Sequence, residues 1–107
     1  MTYRCKTQKE TGSGEEHWNG EIKNLKQKEG IIEAEITGRG TVMHIIIGEY
    51  EYGRYLCIPG RQVGSELAGL KDVFWNREQL ARQIGIIDAI TVAEALNVIE
   101  NELESMA

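Results

Sequence analysis

The sequence predicts one α+β domain, a four-stranded antiparallel meander followed by two C-terminal helices packed on one of its faces. Three observations point there. Apolar and polar residues alternate with period two through positions 17–58, two capping boxes stand in the last third, and 107 residues suffice for one core without disulfides or metal. The hydrophobic fraction of 41% and charged fraction of 27% belong to a globular chain, not a disordered one.

The first sixteen residues read as a mobile N-terminal segment. Thr11-Gly12-Ser13-Gly14-Glu15-Glu16 is polar and glycine-rich, while Tyr3, Cys5 and Thr7 alternate with Arg4 and Lys6 as a short edge strand would. The domain proper begins at His17. A first strand at about 17–24 places Trp18, Gly20 and Ile22 on one face, and a second at about 30–37 places Ile32, Ala34 and Ile36 opposite Glu33, Glu35 and Thr37.

Gly38-Arg39-Gly40 supplies the residues a tight hairpin needs, leading into a strand at about 41–50 that is apolar on both faces apart from His44. A fourth strand at about 53–58 ends at Pro59, which cannot donate to a ladder. Ser65–Leu70 suggests one helical turn. Asn76 with Gln79, and Thr91 with Glu94, then form capping boxes for helices at about 77–84 and 92–105. In the second, Val92, Leu96, Ile99, Leu103 and Met106 make one apolar stripe that covers the sheet.

Charge is unevenly shared. Residues 1–64 hold nine Lys or Arg and nine Asp or Glu, whereas 65–107 hold three and eight, so the helical half carries the whole net charge of −5. That balance disfavours nucleic acid as a partner, because a phosphate backbone demands clustered cations. Glu78–Gly85 followed by Thr91–Asn97 has the outline of a degenerate helix-turn-helix, yet its second helix offers Glu94, Asn97, Glu100, Asn101 and Glu104 with no cation.

No stretch has the length and apolarity of a membrane span, and the N-terminus lacks an export signal, so a cytoplasmic protein with free Cys5 and Cys57 is expected. His17, His44, Cys5 and Cys57 lack metal-site spacing, no phosphate-binding glycine motif occurs, and neither a cofactor nor a catalytic residue is assigned. The expected role is a non-catalytic accessory or interaction module with a protein partner or homodimer. Its candidate surface comprises Tyr50, Tyr52, Arg54, Arg61, Trp75, Glu100 and Glu104, since exposed Tyr, Trp and Arg dominate interfaces. Two other classes stay open: a nucleic-acid-associated regulator using the helical pair, and a small ligand-binding domain or enzyme around His44 and Tyr55.

Gly38-Arg39-Gly40, His44–Gly48, Leu56–Pro59, Asp72–Asn76 and Asp88–Ala93 together resemble a family of small Firmicutes proteins of unknown function, of clostridial type, some linked to mobile elements. The likeness runs from about Trp18 to Leu96. It implies a bacterial cytoplasmic setting and carries no catalytic residue with it.

Overall fold

Alternating burial along each extended segment builds one sheet in the computed structural model, which describes residues 1–9, 12–51, 53–59, 61–67 and 77–106. The strands are β1 (Thr2–Gln8), β2 (Glu15–Lys28), β3 (Ile31–Thr37), β4 (Val42–Tyr50), β5 (Gly53–Ile58) and β6 (Arg61–Leu67). They pair antiparallel in the order β1-β2-β3-β4-β5-β6, so the sheet is a meander of six strands, not four. Among the described residues two helices follow, α1 (Arg77–Ile84) and α2 (Ile86–Met106).

The two added strands are the edges. Residues 2–8, expected within a mobile segment or as a short edge strand on Tyr3, Cys5 and Thr7, pair with β2 along their whole length, and Tyr3 and Cys5 bury 94% and 98% of their surface in the core. On the other side, Ser65–Leu67 continues β6 where a helical turn was expected. Its pairing to β5 shifts register twice, which erases the period-two pattern that marks a strand.

Local geometry follows the backbone chemistry. Asn24 adopts φ 56° at a bulge where the β2–β3 register slips between Lys23 and Lys26. Glu29 and Gly30, at φ 54° and 79°, form the two-residue turn that the right-handed strand twist favours.

The second helix begins at Ile86, six residues before the expected 92. Thr91 does not cap it: its hydroxyl donates to the carbonyl of Ile87 at 2.9 Å, a bond within a helix already running. Gly85, at φ 94°, is the one residue separating the helices, and the Ala89 N–H closes the first turn onto its carbonyl at 2.9 Å. Burial is also wider than one stripe. Residues 89–93, 95 and 96 are all buried, because α2 packs across β1, β2 and β3 on one side and against α1 on another.

The core lies between the helices and one face of the sheet, and draws Ile32, Ile36, Ile45, Ile47 and Leu56 from the strands and Val92, Leu96 and Ile99 from α2. At roughly 1.5–3 kcal/mol for each aliphatic side chain taken out of water, this layer dominates the stability. The opposite face carries Arg4, Lys6, His17, Glu21, Glu33 and His44 to solvent, as the alternation predicted.

Candidate interaction surface

The expected surface residues occupy three separate places. At the β4–β5 hairpin, Glu49 and Arg54 are cross-strand partners with Arg54 Nη2 3.3 Å from Glu49 Oε1, and the Tyr50 backbone pairs with Gly53. Arg61 opens β6 opposite Ile58. Glu100 and Glu104 stand on the last turns of α2, Glu100 with an Oε2 that is buried and without a hydrogen bond among the described residues. Tyr52 and Trp75 lie outside the described residues.

His44 and Tyr55 share the solvent face but line no common hollow among the described residues. His44 Nε2 is 3.5 Å from Glu33 Oε1, an ion pair open to water. The Tyr55 ring covers Gly48, its cross-strand partner: a Cβ on Gly48 would meet that ring at 2.2 Å. Four register positions along β4 separate Gly48 from His44, about 13 Å at the rise of a strand. A ligand touching both would have to span that length of open sheet.

Buried polar groups lie instead under β1 and β2. The Trp18 indole donates to Thr91 Oγ1 at 3.0 Å, and the Tyr3 hydroxyl donates to the Thr37 carbonyl at 2.7 Å. Cys5 sits opposite Trp18, and burial, reinforced by the Glu94 carboxylate, pushes its thiol up to about 11. Burial also raises the Tyr3 phenol. Both shifts favour the neutral form, which quenches a nucleophile, so these are structural groups, the Tyr3 hydroxyl tying β1 to the end of β3 and the Trp18 indole tying β2 to α2.

Three hollows among the described residues cluster where the two hairpins meet the helix junction. A groove of about 420 Å³ runs between Gln8, Lys9, Glu16, Arg39 and Ile87. Its wall is an ion pair, Arg39 Nη2 to Glu16 Oε1 at 2.5 Å, linking the β3–β4 hairpin to β2. A second hollow, between Thr41, Ile84 and Asp88, shares Arg39, and a third, between Thr7, Glu78 and Ala81, shares Ile90 with the core. Ile86 borders all three and remains 64% exposed.

A helix start at 92 leaves Ile86 outside the helix. With the start at Ile86, successive side chains turn by about 100°, so Ile86 is exposed while Ile87 is partly buried. The same correction removes the turn of the helix-turn-helix outline, and it buries Val92 and Ala93 at the start of the would-be recognition helix.

Among the described residues no three His, Cys, Asp or Glu side chains are placed to hold a metal ion, and no helix is long and apolar enough to cross a membrane. The architecture is that of a small α+β protein whose antiparallel sheet carries a C-terminal helical pair. The chain belongs to a family of unknown function (DUF6618), whose model matches residues 1–104. No curated protein and no solved structure matches it.

Proposed function

We propose that this chain is a non-catalytic accessory module that acts by binding another protein, through the surface around Ile86. The observation that carries the proposal is the 64% exposure of that isoleucine at the helix junction, between three hollows. A large apolar side chain held in such a place costs solvation in the free protein and supplies an anchor to a partner. The Arg39–Glu16 pair beside it is a polar rim that fixes orientation.

The resemblance to small Firmicutes proteins, some linked to mobile elements, supports a bacterial cytoplasmic partner over an extracellular one. Sedimentation of the wild type and Ile86→Glu, joined to affinity capture with each as bait, tests the proposal. The expected result is a partner, or a second copy, retained by the wild type and lost from a variant of unchanged melting temperature. A strictly monomeric wild type that captures the same set of proteins as Ile86→Glu overturns it.

A further inference from the structure

The free edge of the sheet next to this groove has the chemistry to bind a strand. Met1 and Ile22 exchange both backbone bonds, Met1 N to Ile22 O at 3.2 Å and Ile22 N to Met1 O at 2.7 Å. At the other end of β1 the Lys9 N–H bonds to the Gly14 carbonyl at 3.1 Å, which keeps the same phase. In an antiparallel ladder such pairs alternate, so Tyr3, Cys5 and Thr7 spend their backbone groups on β2. The N–H and C=O groups of Thr2, Arg4, Lys6 and Gln8 therefore point away from the sheet. Among the described residues no strand pairs with them.

The side chains on this edge select the occupant. Arg4 and Lys6 project from the solvent face two residues apart, opposite Asn19 and His17, and neither has an ion pair among the described residues. A second copy pairing β1 to β1 about Cys5 would bring Arg4 against Lys6, which is repulsive. An incoming strand with carboxylates two residues apart would instead meet both cations. Its intervening residues would fall on the face of Tyr3 and Cys5, which is buried and apolar.

We infer that β1 accepts an extended acidic segment of the partner protein as a seventh strand, with acidic and apolar residues alternating, Thr2, Arg4, Lys6 and Gln8 supplying the backbone ladder. The inference rests on the interaction reading above and names the partner's chemistry. Basic edge residues also discourage promiscuous pairing, which leaves the edge open chiefly to strands of opposite charge.

The test is titration of the full chain with a synthetic peptide of alternating Glu and Val, its Lys-Val counterpart, and the Glu-Val peptide N-methylated on alternate backbone amides. The Glu-Val peptide should bind best, and methylation of the amides that face β1 should weaken it at least about tenfold. Arg4→Glu with Lys6→Glu should reverse the preference toward Lys-Val. Lys6→Pro, which removes an outward N–H and no bond to β2, should weaken binding as methylation does. Equal binding of every methylated and unmethylated form, or none at millimolar peptide, overturns the inference. If that happens while Ile86→Glu still abolishes partner capture, the interaction reading stands and the edge proposal falls.

Discussion

Trp18 and Thr91, 73 positions apart, are joined by a buried hydrogen bond from the indole N–H to the threonine hydroxyl at 3.0 Å. This one contact ties the second strand to the first half of α2. The same hydroxyl donates its own hydrogen bond to the Ile87 carbonyl, so both of its polar functions are satisfied inside the protein.

Thr91→Val should therefore destabilise by about 1–3 kcal/mol, because it leaves the indole N–H buried without an acceptor. Thr91→Ser keeps the acceptor and should lose less. Urea unfolding monitored by tryptophan fluorescence reads both; a Thr91→Val midpoint equal to wild type would mean that the bond contributes nothing.

Gly38→Ala should be destabilising although alanine is compatible with most strand ends. Its Cβ would stand 2.5 Å from Thr91 Cγ2 and 2.9 Å from Thr91 Oγ1, contacts that a close-packed core cannot take without shifting. Because the clash is with the threonine methyl, Gly38→Ala combined with Thr91→Ser should cost less than the sum of the two single changes. Strict additivity in thermal melts would exclude direct contact between the positions.

Stability should fall in alkali. Cys5 has a folded value of about 11 against the ordinary 9.0, so well below pH 9 its thiol is protonated in both states. Above that the unfolded chain ionises first, and the stabilisation is lost progressively as pH climbs toward the folded value. The raised Tyr3 phenol extends the loss to higher pH. Denaturation midpoints from pH 7 to 11 should slope downward, and Cys5→Ala should flatten the lower part of that slope.

The same burial separates the two free thiols kinetically. Cys57, half-buried on β5, should react with a thiol-specific reagent in the native state, while Cys5 should wait for unfolding. Two equal fast phases under native conditions would contradict the placement of β1.

The last turn of α2 carries Glu104 and no cation, facing the negative end of the helix dipole. Glu104→Lys should raise stability by about 0.3–1 kcal/mol at low salt, and the gain should shrink as salt screens it. An unchanged melting temperature at low ionic strength would indicate that this turn is already frayed.

Elements whose pattern is local were legible. The four middle strands follow from alternation, because side chains on a half-solvated strand must alternate whatever they pack against; α1 stands where a helix was expected, and its expected cap Asn76 lies outside the described residues. Of the surface around Ile86, only Arg39 was legible, and only as a turn residue. The pattern failed where a neighbour supplied the deciding term. Thr91 and Glu94 have the spacing of a helix start, but the Trp18 indole and the Ile87 carbonyl claim the threonine hydroxyl, and the helix extends back to Gly85. The alternation of Tyr3, Cys5 and Thr7 allows a short edge strand without requiring one; Tyr3 and Cys5 are core because α2 packs against β1.

The sequence by itself determined the α+β class, the antiparallel meander, the polar outer face and the acidic helical half, since each depends on residue order along one segment. Tertiary structure decided the count of strands, the start of α2, the exposure of Ile86 and the free edge at Arg4 and Lys6. Those depend on which segments meet, and the free energy of meeting is shared between residues that the chain keeps far apart.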